Sequence, residues 1–239
     1  MLANIPDTAA PFGALSKDVQ KPATFRHELL EFIAGELPGW RDRQDRPVEE
    51  SETVLTSQLC AHLNSAARHV PGWDILQFRT ETPDEIQKGR KIDLVSSPSG
   101  VAIWVEGRRH TEFDSLIPIE CKRLPTPTGK DRDEREYVVT RNGTTGGIQR
   151  FKAGLHGAAH TLGAMIAYVQ SGSLPSWETR VAAWITDLID AGESGWTAND
   201  LLSPQRTDLG LKLSVLSSSH GRQKGLGAMD LRHFWLEMN

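Results

Sequence analysis

The stretch LIPIECKRL, residues 116–124, constrains the fold of this chain more than any other. It is a short run of strand-forming residues, and Pro125 and Pro127 end it because proline cannot donate to a strand ladder. Alternate residues of a strand point to opposite sides of a sheet. This period gives two faces, with Ile117, Ile119 and Cys121 on one and Pro118, Glu120 and Lys122 on the other. We predict that the first face is buried and that the second carries a carboxylate beside an ammonium group.

A second strand is predicted upstream, over residues 90–95, and it holds a lone carboxylate, Asp93, within an apolar run. Such a carboxylate needs a partner, because an unpaired buried charge is costly. An Asp on one strand and a Glu-x-Lys on a strand nearby resemble the PD-(D/E)xK nuclease superfamily, also called restriction-endonuclease-like. The resemblance covers residues 50–170, and Ile92 stands where the name of the superfamily has proline.

The resemblance implies an α/β (α+β) fold in which helices flank a central mixed β-sheet, the restriction-endonuclease-like core. It implies metal-dependent phosphodiester hydrolysis by a DNA endonuclease of the restriction, defence or repair type. Asp93, Glu120 and Lys122 would be catalytic. Asp93, Glu120 and the backbone carbonyl of Cys121 would hold Mg²⁺ or Mn²⁺, since such ions prefer oxygen ligands. The alternative is a catalytically inactive protein of this fold that acts as a binding or scaffold component of a defence or repair complex.

Two more residues are candidates for the same catalytic site. Glu52 lies in a helix predicted over residues 48–68, on its apolar stripe three positions before Leu55. It is either a third carboxylate aimed at the metal, as the first helix of the superfamily often supplies, or an acid that favours the helix start. Gln149 resembles the glutamine that several branches of the superfamily carry on the helix after Glu-x-Lys. The alternative for Gln149 is an exposed amide.

The charge distribution bears on whether the partner is a nucleic acid. The whole chain has a formal net charge of −4, which is unfavourable for binding phosphates. Residues 122–152, in contrast, contain eight Lys and Arg against four Asp and Glu, so this segment has a net charge of +4. No helix-turn-helix or zinc-finger pattern is present. We therefore expect residues 130–141 and 218–224 to contact DNA, or RNA in its place.

Length and composition favour a single domain. The chain has 239 residues, of which 38% are hydrophobic, enough for one large core. We expect a flexible N-terminal arm over residues 1–23 and one nuclease-like domain over residues 24–239. Cys60 and Cys121 form neither a disulfide framework nor a zinc pattern. Without a long apolar run or a signal-peptide layout, we expect no membrane partner and a cytoplasmic location.

The expected order of elements determines how the two site strands meet. A first strand is expected over residues 74–80 and a third strand over residues 101–106, between the two site strands. Together with the site strands they are expected to form an antiparallel meander. A helix over residues 147–161, with His156 and His160 as ordinary helix histidines, then crosses over to a strand over residues 164–169. This crossover predicts that the strand over residues 164–169 runs parallel to the Glu120 strand.

A homodimer is predicted on two grounds. Cutting both strands of a duplex with one metal site per chain requires two chains. The final strand, residues 231–238, is expected to be an edge with apolar bulk on both faces, which its own helices or a second copy must cover.

Overall fold

A computed structural model describes residues 18–130, 132–141, 143–223 and 225–239. The α-helices of these residues are α1 (Phe25–Arg41), α2 (Glu52–Ala67), α3 (Gly147–Lys152) and α4 (Leu174–Asp190). The strands are β1 (Val19–Gln20), β2 (Leu76–Pro83), β3 (Lys91–Pro98), β4 (Ile103–Val105), β5 (Arg108–His110), β6 (Ile117–Leu124), β7 (Leu162–Val169), β8 (Ser203–Asp208), β9 (Leu213–His220) and β10 (Met229–Glu237). A short 3₁₀ turn, Ala198–Asp200, precedes β8.

Seven of these strands form one mixed sheet in the spatial order β2-β3-β6-β7-β10-β9-β8. The pairs β6–β7 and β7–β10 are parallel, whereas the remaining pairs of this sheet are antiparallel. The predicted mixed sheet flanked by helices is therefore confirmed. The predicted parallel pair is also confirmed, because α3 lies in the crossover from β6 to β7.

Apolar side chains cover both faces of this sheet, as a layered α/β domain requires. α1 and α2 pack on one face, and the core there includes Ile117, Ile119 and Cys121 of β6. This confirms the predicted buried face of the site strand. α3 and α4 pack on the other face. The neighbours Phe234 and Trp235 of β10 enter opposite cores, since successive strand residues alternate between faces.

The expected meander is wrong beyond its first antiparallel pair, β2 and β3. β3 pairs directly with β6, whereas β4 pairs with β5 and β1 in a separate three-stranded sheet. Glu106 and Gly107 both have positive φ angles, 52° and 78°, and form the tight turn that folds β4 back onto β5. The residues between the two site strands therefore leave the main sheet as a hairpin.

Two helices have ends that differ from the prediction. The helix from Gly147 ends at Lys152, because Gly154 and Gly157 have φ angles of +65° and +61°, which no α-helix contains. His156 and His160 therefore lie in a loop and are not helix histidines. In contrast, α1, whose apolar stripe from Thr24 predicts an end near Gly35, continues to Arg41. Its last turns bury apolar side chains in the core, which outweighs the low helix propensity of glycine and proline.

The last strand is not at an edge of the sheet. β10 lies between β7 and β9, and the segment 193–210, expected to be irregular, supplies the exposed edge strand β8. One of the two grounds for the expected homodimer, the edge position of this strand, is therefore wrong. Val19–Gln20 pair with β4, so this part of the predicted flexible arm is a strand. Residues 1–17 of that arm lie outside the described residues.

Candidate functional site

The site forms where two strands of the sheet separate. β3 and β6 pair only through Leu94 with Ile119 and the two pairs that follow toward Pro98. The next register position sets Asp93 opposite Glu120, and there the ladder stops. The backbone N–H of Cys121 instead donates to the Asp93 carboxylate, with 2.8 Å between N and Oδ2. We call this opening between β3 and β6 the strand fork.

The ammonium of Lys122 lies at the centre of the strand fork. Its Nζ is 2.9 Å from Glu120 Oε1, 3.3 Å from Glu52 Oε1 and 4.0 Å from Asp93 Oδ2. It also donates to the backbone carbonyl of Cys121, at 3.0 Å. The structure therefore brings together five of the six residues that the sequence singles out as catalytic or metal-binding.

Glu52 reaches the fork because it is the first residue of α2. Its Oε2 accepts a hydrogen bond from the backbone N–H of Arg123, at 3.2 Å, while its Oε1 faces Lys122. An acid in the first turn of a helix is favourable by itself, so this alternative still holds. Its contacts nevertheless make Glu52 a third carboxylate of the fork. Glu52, Asp93 and Glu120 are called the carboxylate cluster below.

Glu120 is fully buried, yet it is ionised and paired. Its Oε2 contacts Nδ1 of His156 at 2.8 Å, and its Oε1 contacts both Lys122 and a guanidinium nitrogen of Arg150. Burial alone would raise the pKa of this carboxyl. Lys122, His156 and Arg150 outweigh burial and lower the pKa of Glu120 to about 2.

Asp93 has the opposite environment in the same cluster. Burial, and then the negative charge of Glu120, raise the pKa of the Asp93 carboxyl to about 7, although Lys122 acts against this. About a quarter of its side chain, 26%, remains accessible. The pKa of Lys122 is raised in turn, because its three carboxylate neighbours outweigh the burial that would lower it. Lys122 is therefore a fixed cation, and Asp93 is the least compensated carboxylate.

Arg150 and His156 were missed by the sequence interpretation, which chose Gln149 instead. Gln149 Oε1 accepts hydrogen bonds from the backbone N–H groups of Thr140 and Gly146, at 3.2 and 3.3 Å. These contacts hold the preceding loop and do not bring Gln149 to the carboxylate cluster. The only sequence signal for Arg150 is that it follows Gln149 on the same short helix, one position away from the predicted residue.

The oxygen atoms at the fork suit a hard divalent cation. Asp93, Glu52 and the carbonyl of Cys121 supply two carboxylates and a neutral oxygen, and Mg²⁺ commonly takes few protein ligands and keeps several waters. An orphan carboxylate such as Asp93 is also stabilised by added positive charge. Within the described ranges, however, no group of three or more His, Cys, Asp or Glu side chains is arranged to hold a metal ion. A metal here would therefore depend on the carbonyl and on water as well.

A groove of about 800 Å³ lies along the loop that follows β6, and Arg150, which contacts Glu120 of the fork, lines it. We call it the loop groove; its lining residues are Lys130, Arg132, Asp133, Glu134, Glu136, Thr140, Arg141, Gly143, Thr145 and Arg150. Arg132 is held by Glu136, with N–O distances of 2.8 and 3.0 Å. Lys130 and Arg141 form no ion pair with any residue that the structure describes. The loop over residues 130–141, which is predicted to contact DNA, thus lines the loop groove.

A second polar group lies in the core on the α4 side of the sheet. It is a hydrogen-bonded chain of six side chains, called the polar chain: Tyr137, His233, Ser218, His220, Asp200 and Lys152. Ser218 Oγ lies 2.6 Å from His220 Nε2, and His220 Nδ1 lies 2.5 Å from Asp200 Oδ1, which is the spacing of a catalytic triad. His233 Nε2 lies 2.7 Å from Ser218 Oγ, so a second imidazole is hydrogen-bonded to this hydroxyl. Both histidines are fully buried. The Ser218 hydroxyl is therefore engaged by both imidazoles, although Ser218 itself borders a cavity of about 330 Å³.

Fold and site together define an α/β protein with a seven-stranded mixed sheet and a lysine enclosed by three carboxylates at a strand fork. Comparison with models of protein families, with curated proteins and with solved structures found no match. Among the described residues, no helix has the length and apolar character needed to cross a membrane.

Proposed function

We propose that this protein is a Mg²⁺-dependent nuclease that hydrolyses phosphodiester bonds in DNA, built on a restriction-endonuclease-like core. One observation supports the proposal above all others. The carboxylates of Glu52, Asp93 and Glu120, from α2, β3 and β6, all lie within 4.0 Å of the single ammonium of Lys122. Carboxylates gathered beside a cation, two of them, Asp93 and Glu120, with shifted pKa values, are typical of catalytic sites.

The residues of the fork have distinct roles in this proposal. Asp93, Glu120 and the Cys121 carbonyl would hold the metal, with Glu52 as a further carboxylate ligand. A bound Mg²⁺ or Mn²⁺ would neutralise charge on the phosphate and favour a nucleophilic water. The ammonium of Lys122, fixed as a cation, stabilises the negative charge that develops on the phosphate oxygens. Water adds to phosphorus, one ester P–O bond breaks, and the departing oxygen takes up a proton.

Cleavage assays test this function directly. Plasmid, linear duplex, single-stranded DNA and RNA are incubated with Mg²⁺, Mn²⁺ or EDTA. We expect products with either metal and none with EDTA. Asp93→Asn and Lys122→Met should each lower the rate by about 100-fold or more, as the loss of a charge-stabilising group does. Glu81→Gln, which removes an exposed carboxylate paired with Lys91, is the matched control and should leave the rate unchanged.

A catalytically inactive nucleic-acid-binding or scaffold protein is the second candidate. The observation that favours it is the complete neutralisation of Glu120 by Lys122, Arg150 and His156, which makes the fork a stable ionic cluster without any metal. Such a protein would bind DNA or RNA and yield no metal-dependent products on any of the four substrates. That result would replace the nuclease proposal with the scaffold.

The proposed enzyme would act in the cytoplasm, in restriction, defence or repair. Cutting both strands of a duplex with one site per chain requires two copies of the chain, so a homodimer remains part of the proposal. Light scattering at micromolar concentration, with and without DNA, tests it. A monomer mass under both conditions would leave nicking or sequential cutting as the mode of action.

A further inference from the structure

The Arg150 side chain contacts the strand fork and also lines the loop groove. One of its terminal nitrogens contacts Glu120 Oε1 in the fork, and the same side chain lines the loop groove. Its Nε is buried and has no hydrogen-bond partner among the residues that the structure describes. Its side chain remains 17% exposed. Arg150 is thus held by one carboxylate, keeps an unused donor, and borders the space where a ligand would enter.

The ligand that this groove would accept is an anion, because its acidic lining residues, Asp133, Glu134 and Glu136, are each already paired with an arginine. Lys130 and Arg141 line it without an ion pair to any residue of the described ranges, whereas Arg132 is already neutralised by Glu136. A guanidinium donates two parallel hydrogen bonds, which match the two free oxygens of a phosphodiester. A nucleic-acid backbone presents such phosphates in series, and these cations lie along one groove.

Arg150 and a divalent cation would compete for the same carboxylate. A cation at the fork is attracted by Glu120 and repelled by the guanidinium that contacts it. If Arg150 turned toward the groove, Glu120 would keep Lys122 and His156 as partners, so it would not be left as an isolated buried charge. Only the torsions of one long side chain need to change.

We propose that Arg150 exchanges one anion for another. In the free protein it neutralises Glu120, and in the complex it binds a backbone phosphate of nucleic acid in the loop groove, which leaves Glu120 available to the metal. This inference rests on the proposed nuclease function and specifies how its substrate and its metal are coupled. Because coupling between two ligands is reciprocal, nucleic acid strengthens metal binding and metal strengthens nucleic-acid binding.

Calorimetric titration with Mn²⁺ in the absence of nucleic acid tests the first half of the exchange. Arg150→Gln removes the competing cation, so it should bind Mn²⁺ about tenfold more tightly than the wild type, a usual size for such coupling. Arg150→Lys keeps the charge and should remain within about twofold of the wild type. Arg206→Gln is the matched control, because Arg206 pairs with Glu31 and lies on β8, at the sheet edge away from the fork, and it should leave Mn²⁺ affinity unchanged.

Fluorescence anisotropy of a labelled DNA oligonucleotide tests the second half. Ca²⁺ replaces Mn²⁺ so that the oligonucleotide is not cut. In the wild type, Ca²⁺ should tighten oligonucleotide binding several-fold relative to EDTA, within the range of allosteric couplings. In Arg150→Gln this gain should disappear, and binding in EDTA should weaken. The wild-type measurement keeps the inference testable even if the variant does not fold.

The outcomes separate this inference from the nuclease proposal. Equal or weaker Mn²⁺ binding by Arg150→Gln, or oligonucleotide binding in the wild type that ignores Ca²⁺, overturns the exchange. The nuclease proposal survives either result as long as the wild type cleaves DNA with Mg²⁺. If the wild type binds no Mn²⁺ and cleaves no substrate, both ideas fall together.

Discussion

Glu120 and Asp93 are the same kind of group in opposite surroundings. Glu120 is enclosed by three donors, so its charge is compensated where water is absent. Asp93 accepts one backbone hydrogen bond and faces two other carboxylates, so its charge is largely uncompensated. Glu120 therefore stabilises the folded protein, whereas the uncompensated charge of Asp93 destabilises it.

The two carboxylates should respond to neutralisation with opposite signs. Glu120→Gln leaves Lys122 and Arg150 without their buried partner and should destabilise the protein by about 3 kcal/mol. Asp93→Asn keeps an acceptor for the Cys121 N–H and removes like-charge repulsion, so it should stabilise by about 1 kcal/mol. Urea unfolding at pH 7.5 in EDTA measures both, with Glu81→Gln as a control expected within about 0.5 kcal/mol of the wild type. A larger loss in Asp93→Asn than in Glu120→Gln would contradict this account.

The residues that local periodicity could predict are those on the site strands. The alternation of β6 sets Glu120 and Lys122 opposite the apolar face whatever surrounds them, so their shared face follows from the sequence. Arg150 and His156 follow from no local pattern. Their positions depend on a helix that ends after six residues and on a loop that turns back at Gly157, and both depend on tertiary packing.

At the scale of elements, the loop after β6 is fastened to the start of α3 by its backbone. Gly147 N donates to Glu136 O at 2.9 Å, and Gln149 N donates to Val138 O at 3.0 Å. Gly146 lies against this loop so closely that an added Cβ would be 2.4 Å from the Cα of Val139. The close approach aligns α3, and through it Arg150, with the fork.

Gly146→Ala should therefore disturb this contact. Backbone atoms must shift to admit the methyl group, and overpacking of this kind costs about 1–3 kcal/mol. Gly143→Ala is the control, because the nearest atom to its added Cβ is a threonine hydroxyl at 3.5 Å, an ordinary contact. Urea unfolding of both variants gives the comparison, and equal stability of the two would show that the loop is not packed as described.

Element type was predictable where one face of an element is apolar, as in β6, β7 and α4. The path of the chain was not. The hairpin β4–β5 looks like any other strand pair in sequence, and only its packing beside α1 decides that it leaves the main sheet. The end of α3 was also hidden, because the helical spacing of polar and apolar residues continues beyond the glycines that interrupt the helix.

At the scale of the whole molecule, the polar chain ties together the loop after β6, α3, the 3₁₀ turn, β9 and β10. Burial lowers the pKa of His220 and lowers that of His233 well below its usual value. Both histidines are therefore neutral in the folded protein. The unfolded chain takes up protons on them as pH falls below about 6.5, so this contribution to stability is complete above that pH and is lost on acidification.

His233→Gln should flatten this dependence. Between pH 6.5 and 5, the unfolding free energy of the variant should fall less steeply than that of the wild type, by up to about 1.4 kcal/mol per pH unit. The two proteins are compared with each other because Asp93, whose pKa is raised, changes the unfolding free energy with pH in the opposite direction and does so equally in both. His27→Gln, at an exposed position, should keep the wild-type slope. Parallel slopes for His233→Gln and the wild type would show that His233 is not buried neutral.

The connection between the two site strands leaves β3 at Pro98 and enters β6 at Ile117, at the ends of the strands away from the fork. The pairing of Leu94 with Ile119 sets Asp93 opposite Glu120, and the intervening hairpin takes no part in that register. The number of residues between the two carboxylates is thus independent of the distance between them in space. In evolution, the tip of this hairpin can change in length without moving the two carboxylates, as long as Ile103 and Val105 still fill the core. Descendants of one ancestor would then share a geometry that no fixed sequence spacing reveals.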